Sequence, residues 1–156
     1  MKIRTATRAD VPAILDIYND AVLTTTATYD YEPRSLQHRI QWFDDHERIG
    51  FPIFVAEDDQ GKIVGWSSLS RFHDRKGYQF TCENSIYVAA HARGRGVGKL
   101  LLEPLIESAR NLYCLHETHL MQRGWGSGGS KVLHLIIRPK IYSSNVSARA
   151  PNARRS

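Results

Sequence analysis

Val11, Ile14, Leu15, Tyr18 and Val22 recur at three- and four-residue steps, which places them on one face of a helix over about residues 8–22. Thr7 with Asp10 three residues on gives a capping-box signature at its start, and residues 3–6 ahead of it read as a short strand. The polar, largely β-branched run 24–29 continues a helix poorly, because side chains split at Cβ crowd the preceding turn. A second helix is expected after Ser35, whose hydroxyl can cap first-turn N–H groups, and Gly50 marks its exit. Its apolar side should hold Leu36, Ile40 and Phe43, with Trp42 at the edge.

Farther along, the spacing turns strand-like. Residues 51–57 and 63–70 flank the turn formers Asp58, Asp59, Gln60 and Gly61 and read as a hairpin. A charged loop at 71–76 leads to a longer strand at 78–88, with Phe80, Cys82, Ile86 and Val88 among its apolar positions. Leu100, Leu101, Leu105, Ile106 and Ala109 support a third helix over about 97–111, in which Pro104 removes one backbone donor and should bend the helix or cost stability. Residues 122–130 are rich in Gly and Ser. Residues 131–138, between that stretch and Pro139, read as one more strand, and 142–156 as a polar basic tail expected to be disordered.

A chain of 156 residues, 42% hydrophobic and 24% charged, has the size and make-up of one globular domain. Lys2, Arg4 and Arg8 stand where a secretory signal would need its apolar core, and no window approaches 18 apolar residues, so a cytoplasmic chain without a membrane partner is expected. Cys82 and Cys114 have neither disulfide nor zinc spacing, and His116-Glu117-Thr118-His119 misses the zincin pattern, so no metal is expected. The net charge of +5 raises nucleic acid as a partner until it is located. Up to residue 117 the chain carries 14 Lys and Arg against 16 acids; from Thr118 onward it carries seven Lys and Arg and no acid. The basicity belongs to the tail, and no nucleic-acid partner is expected.

The chemistry concentrates in Arg93-Gly94-Arg95-Gly96-Val97-Gly98-Lys99, which follows a strand and opens a helix. Three glycines in five positions let the backbone turn sharply and expose N–H groups, and a helix N-terminus beside basic side chains favours phosphate. A Walker loop would need Ser or Thr where Leu100 stands, and a Rossmann fingerprint would need a small residue in place of Lys99. Alone, the segment could equally be a basic glycine turn or an Arg-Gly patch touching RNA. Together with the preceding Ser85-Ile86-Tyr87-Val88 and the following amphipathic helix, it resembles the coenzyme A signature of the GNAT acyltransferase superfamily. Tyr78, Glu83, Ser85, Tyr87 and Val88, preceded by Arg71-Phe72-His73-Asp74-Arg75, are similar to the phosphinothricin and methionine sulfone/sulfoximine N-acetyltransferase branch.

The resemblance covers residues 1–112 and implies an α+β fold, layered α/β/α, with a mixed, mostly antiparallel sheet flanked by helices. It implies acetyl-CoA as co-substrate and a small amine as acceptor, in a homodimer. Carried over, Tyr87, Val88 and Ala89 would offer backbone partners to the pantetheine arm, and Arg93, Gly94, Arg95, Gly96, Val97, Gly98 and Lys99 would hold the phosphates. A backbone N–H near Val88 would polarise the thioester carbonyl, and Glu83 would be the general base, acting directly or through water. A solvent-facing strand glutamate, or an ion pair with Arg75, is the structural alternative for Glu83. Tyr29, Tyr31, Phe72, Arg75 and Tyr78 would line the acceptor pocket, with Arg75 holding a carboxylate or phosphinate.

Beyond Leu112 the family's fifth strand, Asn-rich turn and last helix are not evident, although Cys114-Leu115-His116-Glu117 faintly echoes that helix. Residues 1–141 are therefore expected to form one domain with a divergent part from 113, atypical for the family, and 142–156 a tail. An abrupt change of character and an acid-free tail suggest a different reading frame or a fusion after about residue 112, the alternative being a divergent natural C-terminus. Two functions follow: an active N-acetyltransferase, or a CoA-binding but catalytically impaired domain with an altered C-terminus.

Overall fold

A computed structural model of the chain describes residues 1–26, 28, 30–78, 81–113, 118–123 and 134–139. Its strands are β1 (Lys2–Thr5), β2 (Ile53–Glu57), β3 (Ile63–Arg71), β4 (Cys82–Val88), β5 (Thr118–Arg123) and β6 (His134–Pro139); its helices are α1 (Val11–Thr24), α2 (Leu36–Ile49) and α3 (Val97–Tyr113). The six strands form one sheet in the order β1-β2-β3-β4-β6-β5, with every neighbouring pair antiparallel. The fold is α+β, with helices on both faces of the sheet, as the resemblance implied.

Two cores explain why the sheet is covered twice. On one face, Val11, Ile14, Ile17 and Ala21 of α1 and Phe43 of α2 pack against Ile53, Val55, Trp66 and Tyr87. On the other, Val97, Leu101, Leu105 and Ala109 form a four-residue-spaced line along α3 that packs on Ala56, Val64, Leu69, Cys82 and Ile86. Pro104 lies beside that line, and α3 continues through it to Tyr113.

The helix starts agree with their capping chemistry. The Asp10 carboxylate accepts the Thr7 N–H at 2.7 Å and the Thr7 hydroxyl at 2.9 Å, ahead of a 3-10 turn at Arg8–Asp10 that leads into α1. Ser35 Oγ accepts the His38 N–H at 3.2 Å, and Gly50 closes α2 with φ of 75°.

Three expectations are corrected. The strand expected over 78–88 begins only at Cys82; Lys76–Tyr78 is a 3-10 turn, closed by Tyr78 N–H to Arg75 carbonyl and followed by Thr81 N–H to Tyr78 carbonyl, each 2.8 Å. Leu36 is exposed, whereas Arg39 and His46 share the buried side of α2 with Phe43. Thr118–Arg123, not foreseen as a strand, pairs with β6. The strand read at 131–138 is found as β6, lying next to β4. The tail 142–156, and the Cys114, His116 and Tyr29 positions, lie outside the described residues.

Candidate active site

β4 leads into the glycine loop, and its register decides what each residue can offer. Ala89 N–H donates to Val64 carbonyl at 2.9 Å, and Tyr87, Ser85 and Glu83 stand opposite Trp66, Ser68 and Ser70. Since main-chain direction alternates along an antiparallel strand, these residues point their N–H and C=O groups at β3, while Ile86 and Val88 point theirs outward. β6 pairs with β4 only at Cys82 and Glu83, so beyond Glu83 no strand among the described residues takes up that outer edge. Ala89 therefore cannot give a pantetheine arm its N–H, which β3 already holds, whereas Val88 N–H faces out. Val88 carbonyl accepts Arg93 Nε at 3.0 Å, and Arg93 Nη2 lies 3.9 Å from Asp20 Oδ2 of α1. Arg93 thus braces the strand end from the side.

After Val88 a 3-10 turn at Ala90–Ala92 delivers the chain to the glycines. Gly94 and Gly96 have φ of 77° and 79°, a left-handed conformation in which a β-carbon would crowd its own carbonyl. Gly96 carbonyl accepts Lys99 N–H at 3.0 Å and Leu100 N–H at 3.2 Å, so α3 begins there, and its first N–H groups have no acceptor within the helix. Apart from adjoining residues of the loop and helix backbone, no atom lies within 4 Å of where β-carbons of Gly94, Gly96 or Gly98 would stand, and Arg95 and Lys99 are exposed beside them. The result is an open, basic cradle at the positive end of a helix dipole.

The height of this cradle above the sheet is set by Gly65 of β3. A β-carbon there would meet Tyr87 carbonyl at 3.0 Å, Leu101 Cδ1 at 3.1 Å and Val97 Cγ1 at 3.3 Å. Only glycine lets the first turn of α3 approach so closely.

Alternation along β4 turns the side chains of Glu83, Ser85 and Tyr87 to the face covered by α1 and α2. There, His46 Nδ1 lies 2.8 Å from Trp42 carbonyl and Nε2 lies 3.3 Å from Ser70 Oγ. A carbonyl can only accept, so Nδ1 carries the proton and Nε2 accepts from Ser70, the residue opposite Glu83. Burial pushes the His46 pKa down and keeps the ring neutral. Arg39, 5% exposed, lays its guanidinium over Tyr18 at 4.2 Å, Trp42 at 4.7 Å and Trp66 at 5.5 Å. Neither residue was foreseen. Arg39, Phe43 and His46 follow helical spacing, but a hydrophobic count along α2 passes over a cation and an imidazole.

The residues expected to hold the acceptor divide into two groups. Tyr31 is 97% exposed, next to Asp30, which accepts from Tyr18 hydroxyl and from Arg34 Nε at 2.9 Å. Phe72 and Tyr78 meet edge to face with centroids 5.3 Å apart. Arg75 and Tyr78 line a cavity of about 420 Å³ with Phe51, Arg71 and Leu112. Leu112 stands near the far end of α3, about 22 Å along the helix axis from its start. That cavity and the cradle lie at opposite ends of the same helix.

Other chemistry is limited. The Cys82 thiol is buried and its pKa pushed up to about 12, which leaves it a poor nucleophile. Among the described residues no group of three His, Cys, Asp or Glu is placed to hold a metal ion, and no helix is long and apolar enough to cross a membrane.

The geometry has counterparts among known proteins. The L-methionine sulfoximine/L-methionine sulfone acetyltransferase of Pseudomonas aeruginosa is 46% identical over 108 residues, covering 69% of this chain and 63% of that protein. The chain thus spans less than two thirds of that relative's length. The L-amino acid N-acyltransferase MnaT of Escherichia coli is 36% identical over 135 residues, 86% of this chain and 76% of its own. The crystal structure of a GNAT superfamily phosphinothricin acetyltransferase from Sinorhizobium meliloti in complex with AcCoA superposes with a TM-score of 0.69 at 30% identity, covering 88% of this chain and 87% of that one. The acetyltransferase (GNAT) family profile matches residues 12–123, a span that contains the open edge of β4, the glycine cradle and all of α3, and the chain belongs to that family.

Proposed function

We propose that the chain transfers acetyl from acetyl-CoA to the amino group of a small amino-acid-like acceptor of the phosphinothricin, methionine sulfone or methionine sulfoximine kind. The observation that carries this reading is the continuity of the outward main-chain groups of Ile86 and the outward N–H of Val88 with the cradle at Gly94–Gly98. The cradle fits a pyrophosphate, because no atom beyond the adjoining loop and helix backbone lies within 4 Å of the β-carbon positions of its three glycines and the helix N–H groups open into it. The names of the relatives support the acceptor class.

Acetyl-CoA supplies an activated acetyl thioester. Gly96, Val97 and Gly98 would offer main-chain N–H groups to the phosphates, with Arg95 and Lys99 adding charge, while Arg93 holds the end of β4. Val88 N–H would donate to the carbonyl oxygen as negative charge develops on it. Glu83 would accept the proton that the acceptor's ammonium must lose before its nitrogen can attack. Five residue steps of extended strand lead from Glu83 to Val88, about 17 Å, so the proton reaches Glu83 through water rather than directly. In the same reading residues 1–141 form the single domain of a cytoplasmic homodimer that uses neither metal, nucleic acid nor membrane.

Thiol release from acetyl-CoA, measured with a panel of amino-acid amines, tests the proposal. Glu83→Gln is expected to lower kcat by about 10²–10⁴-fold, the usual worth of a general base, while acetyl-CoA still raises the melting temperature. Equal turnover by wild type and Glu83→Gln from pH 6 to 9 would remove Glu83 from the mechanism.

A further inference from the structure

Arg39 is 5% exposed, and its Nε is sealed from solvent without a hydrogen-bond partner among the described residues. Three rings hold it instead: Tyr18, Trp42 and Trp66. Cation–π contacts compensate a buried cation only in part, since its Nε–H loses water and gains no acceptor. Asp30 is the carboxylate whose charge reaches Arg39, and it is already spent on Tyr18 and Arg34.

The placement matters as much as the missing acceptor. Arg39 lies over Trp66, Trp66 stacks on Tyr87, and alternation along β4 puts the Glu83 side chain on the Tyr87 face. The guanidinium therefore faces the same side of the sheet as the carboxylate proposed to receive the acceptor's proton. We infer that Arg39 is the receptor for the anionic group of the acceptor, holding the carboxylate of an amino acid whose amine is directed toward Glu83. A planar fork backed by aromatic rings and lacking its own counter-ion is suited to a two-oxygen anion. Arg75, the cation expected from the sequence, is exposed and lines the cavity at the other end of α3.

The inference rests on the acetyl-transfer reading for its choice of ligand, and two readouts on the full chain keep the two apart. L-methionine sulfone is compared with the same molecule lacking its carboxylate, 3-(methylsulfonyl)propylamine, first by acetylation kinetics and then by titration followed through tryptophan emission, which Trp42 and Trp66 beside Arg39 should report. Wild type is expected to prefer the amino acid, and Arg39→Met to lower kcat/KM for it by about 10- to 100-fold, the worth of a charged hydrogen bond, with the amine changed little. If Arg39→Met does not fold, Arg39→Lys keeps the charge and loses the fork, and must show the same selective loss. Acetylation that proceeds with no preference for the carboxylate in wild type, or with a preference unchanged in the folded variant, overturns the inference and leaves the proposed function standing. Absence of acetylation, with carboxylate-dependent emission change lost in the variant, does the reverse. Absence of both acetylation and carboxylate-dependent binding overturns both.

Discussion

Tyr87 lies face to face with Trp66, ring centroids 4.7 Å apart and planes 18° from parallel, across the register that pairs their strands. Tyr18 meets Tyr87 edge-on at 5.3 Å. The strand that carries the candidate chemistry is therefore anchored by an aromatic contact one residue before its outward-facing end.

Removing that anchor should be costly. Tyr87→Ala takes a 7% exposed ring out of the core and is expected to cost about 3–5 kcal/mol, as large aromatic truncations do. Tyr87→Phe keeps the stack and should stay within about 1 kcal/mol of wild type. Urea unfolding of the three proteins checks both values.

Acetyl-CoA at a hundred times its dissociation constant should add about 2.7 kcal/mol of stability and raise the melting temperature. Gly96→Trp is expected to abolish that rise, because the side chain enters the cradle from a φ of 79° that an L-residue resists. A folded Gly96→Trp protein with undiminished stabilisation would place the coenzyme elsewhere.

Gly65→Ala puts a methyl group 3.0 Å from Tyr87 carbonyl and 3.1 Å from Leu101 Cδ1. The expected cost is about 1–3 kcal/mol of overpacking, together with weaker acetyl-CoA binding, since α3 must lift and carry the cradle with it. Isothermal titration beside thermal melting separates the two effects.

Acid stability should depend on Asp10. The Arg4 guanidinium grips its carboxylate with two bonds of 2.7 and 2.8 Å and holds its pKa down to about 2, below the ordinary 3.8, while a third bond reaches Glu57 at 2.8 Å. A depressed carboxylate contributes its stability above the unfolded value and loses it as pH falls between about 4 and 2. The pair is partly open to solvent, so the contribution is expected near 1–2 kcal/mol. Arg4→Met should flatten that part of the pH–stability curve, measured by denaturant midpoint.

The helices, the hairpin and the cradle were legible because each rests on local rules. Val11, Ile14 and Leu15 keep helical spacing, Ser35 and Gly50 bracket α2, and Gly61, with φ of 79°, turns the hairpin. The 3-10 turn at Lys76–Tyr78 was not legible, because Tyr78 pairs with Phe72 and mimics the aromatic content of a strand. Arg39 escaped for a related reason: its burial depends on rings from α1, α2 and β3, a combination that only tertiary packing assembles. β5 depends on its partner, since Thr118–Arg123 is ordered by pairing with β6 rather than by its own alternation.

The outer edge of β4 has a second consequence. Outward N–H and C=O groups with no neighbouring strand are what extended peptides pair with, and exposed edges of this kind template self-association. Ile86 and Val88 thus stand under two opposed demands, remaining open enough to admit a pantetheine arm and short enough to refuse another polypeptide. Among the described residues the opening spans only the last few residues of the strand before the chain turns at Ala90–Ala92, and Arg93 already takes the Val88 carbonyl. That leaves the Ile86 groups and the Val88 N–H for a linear cofactor and too few for an invading strand to nucleate a sheet.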